Sequence, residues 1–178
     1  MRYLVIGAIV AIALVLPLDT SFARGFVSKS GELMISELGE FKITEQRQTP
    51  EKNRLLLKLR TKDEHKDEYY NGANFSIFDV NSFNVFDPKV LQKYVDALRK
   101  SGNAIVTVKP VTWDGRRYQC IFMTKLAEAN GKPLVVFTQQ FLLVHKGRFH
   151  NITFSSTRDQ LETNPAFIEL LKHTKFRK

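Results

Sequence analysis

The stretch that decides the fold is KPLVVFTQQFLLVHKGRFHNITFSS, residues 132–156. Two apolar-rich runs, 133–145 and 148–155, flank Lys146-Gly147, and a dipeptide with glycine in second place suits a two-residue hairpin loop. A loop of that length pairs His145 with Arg148, Val144 with Phe149 and Leu143 with His150. Phe141 then meets Ile152, and Gln139 meets Phe154. A three-residue loop would shift the register by one and send every side chain to the other face. The run 133–145 is apolar on both of its faces, so as a central antiparallel strand it needs cover on both sides.

Working backwards, Asp114-Gly115 is a second hairpin turn, between strands at 104–113 and 116–126, and Asn130-Gly131 marks a longer connection to 133–145. Tyr118, Cys120 and Phe122 share one face of strand 116–126, with Ile121 and Met123 on the other. Together these four strands make an antiparallel meander. Before it, residues 87–102 read as a helix: Asp87 caps it, Pro88 suits its first turn, Arg99 and Lys100 complement the dipole, and Gly102 suits its end. Val90, Leu91, Tyr94, Val95 and Leu98 form its apolar stripe. A closing helix is expected from Asn164-Pro165, with Phe167, Ile168 and Leu171 on one face. Upstream strands are read at 41–46, 54–60 and 74–80, and the charged segment 61–72 as a loop or an irregular strand end. The predicted class is α+β, a three-layer αβα sandwich around a central antiparallel sheet.

Arg2 and the unbroken apolar run Leu4–Leu16, followed by Pro17 and Ser21-Phe22-Ala23, read as a secretory signal at residues 1–23. The run is shorter than the roughly 18 to 20 residues that span a bilayer. Residues 24–178 are then one domain, and no later segment is apolar enough to span a membrane. The expected location is periplasmic or secreted. With one cysteine, Cys120, the chain has no internal disulfide to form, and the apolar setting of that residue points to a buried thiol. The net charge is +9, and Arg2 and Asp19 cancel, so losing the signal does not change it. Such a charge suits acidic proteins, anionic headgroups or a charged envelope polymer; in that compartment it weighs against nucleic acid as the partner.

His145 and His150 fall on one face as diagonal neighbours, about 7 to 8 Å apart. A metal site wants a third or fourth donor, yet that face continues as Leu143, Phe141, Ile152 and Phe154. Strand-rim histidines are the simpler reading, and no cofactor is expected. The Asp114-Gly115 and Lys146-Gly147 turns must lie at the same end of the sheet. That end collects Trp113, Arg116, Arg117, His145, Lys146 and Arg148, a candidate docking rim for an acidic partner, set against an ordinary solvated rim. The sequence holds no phosphate-binding loop, G-x-S-x-G, H-E-x-x-H or C-x-x-C. DEHKDE, residues 63–68, reads as a solvated charge run rather than a cation site. The sequons Asn74-Phe75-Ser76 and Asn151-Ile152-Thr153 fall within expected strands.

The order of these elements, DPKVLQKYVDALRKSG, RRYQCIFMTKL, the stretch 132–156 and NPAFIELLKHTKF, resembles the PsbP-like fold family, which includes bacterial DcrB-type periplasmic proteins. The strand that carries the resemblance reads G-x-x-[YFH]-x-[IL]-T-[FY]-S, here Gly147, His150, Ile152, Thr153, Phe154 and Ser155. The closing helix contributes Pro165, Phe167, Leu171 and Phe176. The match covers roughly residues 74 to 176 and rests on core and turn positions. It implies a non-enzymatic accessory or adaptor protein that docks onto a larger assembly. The expectation is therefore an exported binding protein. The alternatives are a metal protein or enzyme using His145 and His150, and a small-ligand carrier.

Overall fold

The hairpin at Lys146-Gly147 forms with a two-residue loop, and His145 pairs with Arg148, Leu143 with His150 and Phe141 with Ile152. Both residues of this turn have positive φ, 49° and 72°, as do Asp114 and Gly115 at 50° and 67°. That is the geometry a tight hairpin needs to match the twist of its strands. The structure is a computed structural model that describes residues 25–49, 54–61, 71–80, 84–129, 131–159 and 161–177. The expected signal segment and DEHKDE lie outside the described residues.

The chain order is β1 (Phe26–Val27), β2 (Leu33–Ile35), β3 (Phe41–Thr49), β4 (Arg54–Thr61), β5 (Asn71–Asp79), α1 (Pro88–Lys100), β6 (Asn103–Trp113), β7 (Arg116–Ala129), β8 (Lys132–His145), β9 (Arg148–Ser156), α2 (Pro165–Lys172) and β10 (Thr174–Phe176). The four-strand meander runs β6-β7-β8-β9, and β9 pairs with β5 to complete a seven-stranded antiparallel sheet ordered β3-β4-β5-β9-β8-β7-β6. A second, three-stranded sheet, β1-β2-β10, joins the two ends of the described chain. Both edge strands of the large sheet carry a bulge, at Ile43/Glu45 and Ile105/Thr107, and β6 also carries Pro110. Bulges and edge prolines discourage pairing with another chain.

Two apolar clusters fill the two faces of this sheet, because side chains alternate along each strand. Ile121, Leu142 and Phe149 pack with Val95, Leu91, Tyr94 and Leu98 of α1. Asp87 caps that helix, accepting from the Lys89 and Val90 amides at 2.8 and 3.4 Å. The opposite face carries Tyr118, Cys120, Phe141, Ile152 and Phe154, and is covered by Phe167 and Leu170 of α2 and by Leu33, Ile35 and Phe176 of the small sheet. Its centre is aromatic: the Phe154 ring lies 4.9 Å from Phe167, 5.8 Å from Phe141 and 6.5 Å from Phe75.

The class is α+β, with mainly antiparallel sheet and two helices. The expected outer layers of helix alone do not describe the second face, where the three-stranded sheet shares the cover with α2. The buried face of α2 is Ala166, Phe167 and Leu170, and Ile168, expected on it, is 40% exposed. Asn164 both caps α2 through the Ala166 amide and donates to Asn71 Oδ1 on β5 at 3.1 Å, which fixes the helix on the sheet. Cys120 is buried and unbridged, and burial pushes its thiol pKa up. No helix among the described residues is long and apolar enough to cross a membrane.

Candidate functional site

The hairpin end of the large sheet gathers the β6–β7 and β8–β9 turns, the end of β5, the end of β3 and the start of β4. The β1–β2 turn lies against it. That turn is built by Gly31 N donating to the Ser28 carbonyl at 2.7 Å and Leu33 N donating to Ser28 Oγ at 3.0 Å. It delivers Glu32 to the face of β9, where Arg148 waits 116 residues away in sequence.

Arg148 meets Glu32 side-on. Nη2 donates to Oε2 at 2.9 Å and Nε to the same oxygen at 3.2 Å. Its Nη1 donates to Asp79 Oδ1 on the neighbouring strand at 2.5 Å. The Arg148 side chain is 13% exposed and that of Glu32 17%, so this is a largely buried cluster. His150, 2% exposed, places Nε2 3.1 Å from Glu32 Oε1. Neither ring nitrogen of His150 makes an aligned hydrogen bond among the described residues, so the approach is a close contact rather than a directed bond. The His150 ring also packs edge-on against Phe176 at 5.2 Å. Burial alone would raise the Glu32 carboxyl pKa; the approach of His150 and the hydrogen bonds and charge of Arg148 override it and hold the group at about 2.

The other expected rim residues divide by face. Trp113 is half-buried and points to the core, with its ring 5.5 Å from Tyr118 and 5.5 Å from Phe176. Arg116, on the same face, donates through Nη2 to the Phe176 carbonyl at 3.2 Å and the Arg177 carbonyl at 2.8 Å, which ties down the end of β10. Burial pushes the Tyr118 phenol up to about 12, against the pull of the Arg116 guanidinium. His145 is half-buried, and its Nε2 has no hydrogen-bond partner among the described residues. Burial, then the charges of Arg116, Lys146 and His150, lower its pKa, so it is neutral at pH 7. Arg117 lies on the opposite face, exposed, with its guanidinium 5.2 Å over the Phe86 ring. Lys146 is exposed at the turn.

The sheet therefore brings Arg116, His145 and Arg148 together with His150 on one face, leaves Lys146 at the tip, and sends Arg117 to the other side. His145 and His150 do share a face, as the two-residue loop requires. The donor that their face lacked in the sequence, Glu32, comes from the small sheet and is already held by Arg148. No group of three or more His, Cys, Asp or Glu able to hold a metal occurs among the described residues.

The sequence reading missed Glu32, Asp79 as its co-ligand on Arg148, and two further cations at this end, Lys29 and Arg54. A hairpin signal was present in FVSKSGELMI, residues 26–35, where a Ser-Lys-Ser-Gly turn separates two short apolar runs. Arg54 follows from register alone, since it pairs with Thr49 and sits beside the strand that ends in Asp79.

No protein-family model matches the sequence, and no curated protein matches it significantly. Solved structures do resemble it. Cyanobacterial PsbP (CyanoP) from Synechocystis aligns over 89% of this chain and 96% of its own, with a TM-score of 0.52 at 10% identity. The fold is PsbP-like. A Bacteroides thetaiotaomicron protein shares the architecture, with a TM-score of 0.53 at 10% identity over 88% of this chain. This chain spans about half of that protein, 49%. LpqN of Mycobacterium tuberculosis, a protein involved in cell envelope biogenesis, aligns at a TM-score of 0.46 and 14% identity over 78% of this chain and 79% of its own. At these identities the PsbP-like likeness defines the path of the chain, and the site must be read from this chain's own residues.

Proposed function

We propose that this chain is an exported, non-enzymatic accessory protein that binds an acidic envelope or secreted component through the basic end of its large sheet. The observation that carries the reading is the distribution of charge at that end. Glu32 and Asp79 are already engaged with Arg148, while Arg117, Lys146, Lys29, Arg54 and Arg177 remain exposed around them. The docking rim is thus narrower than the sequence suggests in one respect and wider in another. Trp113, Arg116, His145 and Arg148 support it from within, and Arg117 and Lys146 present the charge.

The PsbP-like fold supports an accessory role by analogy. Export rests on the apolar N-terminal run and its small-residue boundary at Ser21-Phe22-Ala23. Enzymatic chemistry at the hairpin end lacks support because its groups are committed: Glu32 is ion-paired to Arg148, and His145 has no orienting partner among the described residues.

The test is in-cell crosslinking of the wild type and of an Arg117→Glu/Lys146→Glu variant, both at exposed positions. A partner that is crosslinked by the wild type and lost in the variant supports the reading. An unchanged set of crosslinked proteins would sink it.

A further inference from the structure

The two longest strands of the large sheet run past their neighbours. β6 accompanies β7 no further than the Asn103–Lys125 pair, and β9 accompanies β8 no further than Phe137–Ser156, yet β7 and β8 stay paired as far as Ala129–Lys132. Residues 126–129 and 132–136 therefore form a two-stranded ribbon, which projects from the end of the sheet opposite the Lys146-Gly147 turn by about 13 Å, at about 3.3 Å per residue. We propose that this ribbon docks the protein on an anionic lipid surface, entering it at headgroup depth. The ribbon lies at the other end of the strands from the proposed docking rim, and the inference stands independently of that rim.

Three features point to lipid. The first is the pattern of apolar side chains. Leu126 pairs with Val135 on the face that α2 covers elsewhere in the sheet, and Ala127 pairs with Leu134 on the face that α1 covers. Leu126 is 75% exposed, more than any other large apolar side chain among the described residues, and Val135 is 40% exposed. A rigid groove would have to straddle a ribbon that is apolar on both faces, whereas a fluid lipid layer closes round both. The second feature is charge. Lys125 stands at the base of the ribbon and Lys132 at its far end, both exposed, and the Asn103–Lys125 pair brings exposed Lys100, the last residue of α1, to the same end of the sheet. Glu128 is the ribbon's one carboxylate, and Asp96, in the last turns of α1, is held by Arg99 at 3.1 Å. The connection that carries DEHKDE enters β5 at Asn71, two strands from β8 and so about 10 Å from the ribbon. Cations flanking apolar groups match anionic headgroups above an acyl phase.

The third feature is the backbone. No strand among the described residues pairs with the outward edges of the ribbon, so their amide and carbonyl groups need water or headgroup oxygens. Burial in the acyl core would strand those groups, which sets the depth at the interface. Lys132 and Pro133 on the free edge of β8 also discourage strand pairing with a second copy, which favours lipid as the occupant.

The test places a fluorophore in the ribbon. Leu126→Trp in the full chain is titrated with vesicles of phosphatidylglycerol and phosphatidylcholine whose brominated acyl chains quench nearby tryptophan. Trp113, at the other end of the sheet, is the reference in the wild type, so the readout is local whatever the apolar N-terminal run does. Expected are a blue shift and saturable quenching at position 126, with wild-type emission unquenched and weaker quenching by phosphatidylcholine alone. Adding Lys125→Glu/Lys132→Glu should lower the vesicle affinity roughly tenfold or more. All three positions are exposed, and circular dichroism confirms that the variants are folded. No quenching at position 126, equal quenching of the wild type, or an affinity unchanged by the lysine substitutions overturns the proposal. A dimer in sedimentation that Leu126→Ser/Val135→Ser dissolves assigns the ribbon to a second copy and overturns it too. Arg117→Glu/Lys146→Glu keeps the quenching, which separates failure here from failure of the docking rim.

Discussion

Replacing Glu32 by glutamine is the sharpest perturbation of the cluster that joins the two sheets. The carboxyl moves from an ordinary 4.5 to about 2 in the fold. Since the folded value is depressed, the group contributes stability that is fully present above about pH 5 and is lost as pH falls through the folded value. The gap corresponds to about 3 kcal/mol at neutral pH, of which about 2 kcal/mol is gone by pH 3. At 17% side-chain exposure, solvent screening removes little of this. Glutamine keeps the shape but not the charge, and it leaves Arg148 with Asp79 as its remaining charged partner among those described at the cluster. The expectation from urea melts is a variant less stable by about 3 kcal/mol at pH 7 and by about 1 kcal/mol at pH 3. All other acids titrate in both proteins, so the difference isolates Glu32. A variant within about 0.5 kcal/mol of the wild type at pH 7, or a gap unchanged at pH 3, would refute the reasoning.

Phe154, 1% exposed among three aromatic rings, should cost about 3 to 5 kcal/mol on replacement by alanine, read as a lower urea midpoint at unchanged slope. Asp87→Ala removes the cap of α1 and should cost about 1 kcal/mol by the same measurement, with the Lys89 and Val90 amides exchanging faster. Lys146 holds φ at 49°, a conformation asparagine tolerates better, so Lys146→Asn should stabilise by about 0.5 kcal/mol and raise the melting temperature. The Cys120 thiol, buried with a raised pKa, should react with a thiol reagent at the rate of global unfolding; fast reaction under native conditions would contradict its placement.

What was legible in the sequence was what local chemistry specifies. Lys146-Gly147 and Asp114-Gly115 set two hairpins and therefore a register, and that register placed His145 and His150 on one face. Asp87, Pro88 and the apolar stripe set α1 to within a residue or two at each end. The small sheet was not legible because its strands are two or three residues long and its pairing of Ile35 with Thr174 is non-local. Glu32 went with it: nothing near it in sequence hints at an arginine 116 residues away. Trp113 is a different case. It shares strand parity with the core-facing pair of Arg116 and the Tyr118 face, so alternation alone could have turned it inward.

The arginines of the hairpin end explain why a rim rich in cations is not simply a free basic surface. A strand end left uncovered presents its guanidinium groups to water. Here the same face is covered by a second sheet, so each arginine on it must find acceptors or carry an unpaired buried charge. Arg148 finds the carboxylates of Glu32 and Asp79; Arg116 finds the carbonyls of Phe176 and Arg177. Each thereby fastens one terminal strand, Arg148 the start of β2 and Arg116 the end of β10. The β1–β2 turn that Glu32 anchors also carries Lys29, whose backbone amide donates to Gln48 Oε1 on β3 at 2.8 Å. Charge available for recognition is then the part that alternation and the second sheet leave outside: Arg117 across the sheet, Lys146 at the tip, Lys29 on the β1–β2 turn and Arg54 over Phe78 on the α1 face. Counting cations along the sequence overstates the first face and misses the last two, because burial is decided by the strand that arrives from elsewhere in the chain.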